Sequence, residues 1–251
     1  MRGSLRYDTI GRTYANTRRT DPRIAAHIHA GLGDARRILN IGAGTGSYEP
    51  QDREVVAIDP STTMLEQRAP GAAPAVQAVA EALPFGDHCF DAAMTTLTVH
   101  HWNDLDRGLR EMRRVAARQV IFFFDTGTTV DLWLIDEYFP EVLELPSERA
   151  APDPAALARV LDVNSIEPVP VPADCVDGFG GCYWNRPEAY LDPQVQDGMS
   201  SFAQLDPETR ARGTERLRRD LESGAWDARH GELRGLPEID LGYRLLVAGV
   251  A

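Results

Sequence analysis

The sequence predicts an α/β fold, a doubly wound and mostly parallel sheet with helices on both faces. Three observations carry this. Short apolar runs alternate with helical patterns through the first half of the chain, as in successive βαβ units. The strongest run, Gln119-Val120-Ile121-Phe122-Phe123-Phe124-Asp125, is apolar at consecutive positions, which suits a strand covered on both faces. An earlier run feeds a glycine-rich bend, Leu39-Asn40-Ile41-Gly42-Ala43-Gly44-Thr45-Gly46, and the run after it ends on a carboxylate, Asp59.

Taken in order, Leu5 to Ala30 is expected to be a helical lead-in. Asp21-Pro22 is a helix start, since Asp caps and Pro suits the first turn. Ile24, Ala25 and Ile28 follow at helical spacing, and Gly31-Leu32-Gly33-Asp34 stops the helix. Arg37 to Ile41 and Glu54 to Asp59 read as strands, with Ser61 to Arg68 a helix behind the second. Phe90 to Leu97 is a third buried strand. Leu105 to Ala117 is amphipathic through Leu105, Leu109, Met112 and Val115. After Asp125 the pattern loosens. Asp131 to Tyr138 and Asp153 to Leu161 are expected helices, and Ile166 to Val171 a strand interrupted by Pro168 and Pro170. Glu188 to Asp220 is helical and polar with breaks at Pro193 and Pro207. Leu241 to Ala248 closes the chain as a strand.

The chain has 251 residues and a formal charge of −12, from 38 acidic and 26 basic residues. Such a field repels phosphate backbones, which argues against a nucleic-acid partner. The arginines at 210, 212, 216, 218 and 219 read as a solvated helix face. All basic residues are arginine, so lysine chemistry is excluded. Cys89, Cys175 and Cys182 lack metal or disulfide spacing and read as reduced thiols of a cytoplasmic protein. No apolar run is long enough to span a bilayer, and Met1 to Ile10 lacks the core of a signal peptide.

Glycines at the bend let the backbone turn sharply and let a ligand approach without a Cβ in the way. An acid ending the following strand accepts hydrogen bonds from both ribose hydroxyls of an adenosine group. Dinucleotides and S-adenosyl-L-methionine (SAM) both use this arrangement. The dinucleotide pattern G-x-G-x-x-G places its third glycine one position later, where Ser47 stands. The segment Ser47-Tyr48-Glu49-Pro50-Gln51-Asp52 is acidic and offers no helix N-terminus for a pyrophosphate, whereas SAM carries none.

Four blocks carry a family resemblance: Asn40 to Gly46; Val55 to Ser61 with Met64; Ala80-Glu81-Ala82-Leu83-Pro84-Phe85 with Phe90-Asp91; and Thr96 to Trp102. In this order they make the chain similar to class I SAM-dependent methyltransferases of the small-molecule, ubiquinone/menaquinone-type branch, over residues 5 to 125. The resemblance implies a Rossmann-like seven-stranded sheet with its last strand antiparallel, plus an α-helical cap. The division expected is a lid over 1–35, a core over 36–172, a cap over 173–235 and a closing strand over 236–251.

It also implies roles. Gly42, Ala43 and Gly44 would pass under the methionine part of SAM. Asp59 would hold the ribose. Pro60, Ser61 and Met64 would border the adenine, with Ala80, Glu81 and Ala82 on its other side and Thr96 adding backbone contacts. Tyr7, Tyr14, Arg18 and Arg19 resemble the family's lid, one arginine pairing with the SAM carboxylate. Two positions depart from the pattern: Asn40 and Val79 stand where acids are usual.

A methyl acceptor needs alignment and, for some nucleophiles, a base. His100 is the candidate base, on the argument that neighbours in extended chain point opposite ways. His101, Tyr7, Trp133, Tyr183 and Trp184 are candidate acceptor contacts, with Tyr138 and Arg186 nearby. The acceptor is expected to be a small aromatic or heteroaromatic molecule of secondary metabolism. The competing readings are a non-catalytic SAM- or S-adenosylhomocysteine-binding module and an NAD-dependent oxidoreductase.

Overall fold

The computed structural model describes residues 18–125 and 132–250. Expectations for the segment before residue 18, including Tyr7 and Tyr14, lie outside those residues. Helix α1 (Pro22–Leu32) starts where the sequence places it. The Asp21 side chain accepts from the Arg23 N–H at 3.0 Å, and Pro22 occupies the first turn. Its face of Ile24, Ala25, Ile28 and Leu32 is buried against the sheet.

Seven strands make the main sheet: β1 (Arg37–Ile41), β2 (Glu54–Asp59), β3 (Ala75–Gln77), β4 (Phe90–Thr96), β5 (Ala116–Phe124), β6 (Val163–Pro168) and, last in the chain, Tyr243–Gly249. Between the last two, β7 (Val171–Pro172) and β8 (Glu238–Ile239) form a separate antiparallel ribbon, so the closing strand is β9. The order is β3-β2-β1-β4-β5-β9-β6. Neighbours are parallel except β9, which runs antiparallel to β5 and β6. The order reverses between β1 and β4, which leaves a crevice at their carboxyl ends.

Alternate side chains along each strand enter opposite cores. Ile38, Val120 and Phe122 join α1 on one face. Leu39, Ile121 and Phe123 meet Leu109, Met112 and Val115 of a crossover helix, Leu105–Val115, on the other. That two-sided burial explains the unbroken apolar run in β5, where each fully buried side chain stabilises by roughly 1.5–3 kcal/mol. The connection from β1 to β2, residues 42–53, contains turns and no helix, in line with its composition.

A third core lies beyond the sheet. Trp133, Tyr138, Phe139, Tyr190, Phe202, Leu217 and Trp226 are its largest members. Helix Pro207–Ser223 spans it, capped by Asp206 and stopped at Gly224 with φ 76°. This core draws on residues both before and after β6. Of the helix expected over 131–138, the described residues form a π-type turn, Leu134–Tyr138, followed by a 3₁₀ turn that starts at Pro140. The strand expected over 166–171 divides. Pro168 ends β6 and β7 pairs elsewhere. The arginine-rich helix face is ion-paired at the surface: Arg210 with Asp197, Arg212 with Glu141 and Arg218 with Glu215. The three cysteines are unpaired. Among the described residues, no helix is long and apolar enough to cross a membrane, and no trio of His, Cys, Asp or Glu is placed to hold a metal.

Candidate functional site

The crevice is floored by the glycine bend. Gly42 has φ 69°, and a Cβ there would lie 2.5 Å from the Thr98 Oγ1. No other residue fits that approach between the ends of β1 and β4. Across the bend, the Asp59 carboxylate accepts from the Gly44 N–H at 2.8 Å and from the Ser61 N–H at 2.9 Å. Two charge-assisted bonds to backbone fix its orientation.

Two small cavities, about 60 and about 70 Å³, meet there. Both are lined by Gly42, Asp59, Thr98 and His101. One continues past Asn40, Ala43, Gly44, Met64 and Thr96, the other past Pro60, Val79, Ala80 and Glu81. Asp59 thus sits at the waist of an elongated site. Three predicted contacts are not in its wall, Ser61, Ala82 and Arg19. Ser61 is fully buried and caps the helix Thr62–Glu66 through its Oγ, and Ala82 pairs with Val79 in a short bridge. Arg18 lines the first cavity, whereas Arg19 is exposed and lines neither.

Asn40 does not stand alone. Its Nδ2 donates to the buried Glu49 carboxylate at 2.9 Å. Arg68 donates to the other Glu49 oxygen at 2.7 Å and to the Gly44 carbonyl at 3.3 Å. An acid nine residues later in the chain thus orients the Asn40 amide, and Arg68 ties that acid to the bend. Sequence reading missed Glu49 and Arg68 because nothing in their spacing marks them as partners.

A second network was equally hidden. Arg18 donates from Nε to Asp177 at 2.5 Å and from Nη2 at 3.1 Å, and the Tyr48 hydroxyl donates to the same carboxylate at 2.6 Å. Burial and the Asp177 charge push the Tyr48 phenol far above its usual range, so it stays a donor. Tyr48 holds φ 66°, a conformation that persists only where its surroundings fix it.

The histidines do not sit in extended chain. Val99–His101 is a 3₁₀ turn, so the two rings lie on one side with centroids 3.8 Å apart. His101 faces the cofactor cavities and not the acceptor space expected for it. His100 lines a larger cavity of about 180 Å³ under the cap. Leu97, Phe124, Phe179, Met199, Phe202 and Tyr243 give that cavity mostly apolar walls.

Trp133, Tyr183 and Trp184 do not line it, contrary to expectation. The Trp133 indole donates to the Trp184 carbonyl and the Trp184 indole to the Val171 carbonyl, and both rings are buried in cores. Tyr183 packs under Arg186, whose guanidinium clamps the Cys175 and Cys182 carbonyls and does not line the cavity. Indoles this large satisfy their N–H inside the fold more readily than at a wall. Phe179, Gly180 and Gly181 of the same stretch take the wall position.

Comparison with known proteins fits this geometry. Residues 39–124 match a family model described as a methyltransferase domain. A solved structure described as a putative methyltransferase from an antibiotic biosynthesis pathway of Anabaena variabilis superposes with a TM-score of 0.86. It is 32% identical, over 93% of this chain and 99% of that one. The chain belongs to the SAM-dependent methyltransferases. Demethylmenaquinone methyltransferase of Mycolicibacterium paratuberculosis is 28% identical over 170 residues, 64% of this chain and 73% of that protein. A malonyl-[acyl-carrier protein] O-methyltransferase of Erwinia pyrifoliae is 37% identical over 102 residues, 38% of this chain. The match spans 39% of that relative and 42% of an uncharacterized Bacillus subtilis methyltransferase.

The cofactor of these methyltransferases is SAM, and the residues present fit it. The floor is a cradle that a Cβ at Gly42 would fill. The Asp59 carboxylate stands between two cavities, as a ribose partner must. The turn-only connection after the bend offers a pyrophosphate no helix N-terminus, which sets the dinucleotide reading aside.

Proposed function

We propose that this protein transfers the methyl group of SAM to a small-molecule acceptor held under the cap. One observation carries the reading: Arg18 and Leu97 line both the cofactor cavity and the larger apolar cavity, so the two are contiguous. Leu97 has φ 51° and donates its N–H to the Phe122 carbonyl at 2.8 Å. Strained backbone of this kind gathers where two ligands meet.

SAM supplies an already activated methyl. The protein's part is to bind, orient and exclude water. In this reading Asp59 takes the ribose hydroxyls, and Gly42, Ala43 and Gly44 lie under the methionine arm. Glu49 accepts hydrogen bonds only, so it turns the Asn40 amide nitrogen toward itself and leaves Oδ1 to receive the methionine ammonium. Pro60, Met64, Ala80, Glu81 and Thr96 border the remainder. His100 receives a proton from the acceptor where one must leave.

The rings of Phe124, Phe179, Phe202 and Tyr243 support an aromatic or heteroaromatic acceptor, and the Anabaena relative supports a role in secondary metabolism. The charge of −12 disfavours a nucleic-acid substrate, and three unpaired thiols suit the cytoplasm.

Two measurements test this. Methyl-labelled SAM is offered with a panel of small aromatic acceptors, and label is expected in product. Tight SAM binding with no transfer to any acceptor would favour a non-catalytic binding module. Asp59→Ala is expected to weaken SAM binding by about 1.5–3 kcal/mol, since ribose hydroxyls lose a charged partner. An unchanged dissociation constant by calorimetry removes Asp59 from the ribose.

A further inference from the structure

The larger cavity holds one feature that its apolar walls do not explain. Glu148 lines it, on the short helix Pro146–Arg149. That helix packs against the Val99–His101 turn, so the carboxylate and His100 border the same space. Glu148 is half-buried, and among the described residues no arginine or histidine pairs with it. Burial raises its carboxyl, and the Ser147 hydroxyl offsets this only in part. Across the cavity, burial and, more weakly, the Glu148 charge raise the Tyr243 phenol, which puts the two groups within electrostatic reach. Two other ions line the cavity: Arg18, already matched by Asp177, and Asp136, which is exposed to solvent.

An unpaired carboxylate in an apolar cavity is costly unless a ligand pairs with it. Most acidic side chains of this chain avoid that cost. Asp177 and Glu49, both buried near the site, are each matched by an arginine. Among the described residues, Glu148 has the Ser147 hydroxyl but no matching cation.

We propose that Glu148 is the acceptor-recognition group and that the acceptor is an amine, a cationic nitrogen on a ring-sized apolar body. This rests on the methyl-transfer reading above and narrows its acceptor class. An engineered apolar cavity of about 150 Å³ accommodates one benzene ring, and the cavity here measures about 180 Å³. The apolar walls take the body while Glu148 holds the nitrogen beside His100. Anionic acceptors are repelled by the same charge, and neutral ones gain nothing from it.

The test uses the full chain saturated with S-adenosylhomocysteine. Matched fragments, led by 2-phenylethylamine, 2-phenylethanol and phenylacetate with their alkyl and indole counterparts, are titrated by calorimetry. The amines are expected to bind at least about tenfold more tightly than the alcohols, the size of one charge-assisted bond, and the carboxylates weakest. Glu148→Gln is expected to abolish the amine preference while S-adenosylhomocysteine affinity stays unchanged, and Glu148→Asp to keep part of it. An absence of amine preference across the set, no binding by any fragment included, overturns the proposal. So does a preference that survives Glu148→Gln. Amine binding through Glu148, with no label transferred from SAM to any acceptor, would instead defeat the methyl-transfer reading and leave an amine site without an acceptor role.

Discussion

Glu49→Ala is expected to destabilise the fold by about 3–5 kcal/mol, the usual consequence of leaving one member of a buried ion pair without its partner. Glu49 and Arg68 are exposed by only 4% and 5% of their side chains, so water does not replace the lost charge. The loss is a large share of a typical domain stability of about 5–15 kcal/mol. Urea unfolding measures it as a lower midpoint at unchanged slope. A cost under about 1 kcal/mol would show that Arg68 finds another acceptor or reaches solvent. Replacing both residues, Glu49→Leu with Arg68→Met, separates the causes. Apolar residues of similar volume restore much of the stability of a buried pair. They leave the Asn40 amide without the acceptor that orients it. The double variant is therefore expected to fold well and bind SAM more weakly than the parent.

This network also shows where sequence reading stopped. The sheet was legible because two-sided burial writes itself into β5 as an apolar run and into Leu105–Val115 as a stripe. The bend was legible because Gly42 is dictated by backbone alone, through its φ and its approach to Thr98. Glu49, Arg68 and Asp177 were not. Their partners lie 19 and 159 residues away along the chain, and only the folded geometry selects them from 38 acids and 26 arginines. Aromatic residues failed as pocket markers for a related reason. Composition tells that Trp133 and Trp184 are buried but not against what, and both spend their N–H groups on carbonyls within the fold.

At the histidine pair, local conformation sets which cavity each ring borders. Read as extended chain, the two rings would point apart, but the 3₁₀ turn brings them together and gives each its own cavity. His101 shares a wall with Gly42 and Asp59. His100 shares one with Glu148, Phe179 and Tyr243. If His100 accepts the acceptor proton, His100→Ala removes a general base, a contribution of typically about 10²–10⁴-fold. The expected result is a fall in kcat of about a hundredfold or more, the low end of that range, since water in the vacated space serves as a poor substitute. SAM affinity is expected to change by less than about twofold, because His101 and not His100 lines the cofactor cavities. His101→Ala should show the reverse split, weaker SAM binding with a smaller effect on turnover at saturation. Steady-state kinetics and calorimetry on the two variants read both quantities. Equal losses in both variants would mean that the two adjacent rings act together as packing. Full turnover in His100→Ala would assign the proton to water or to an acceptor that has none to lose.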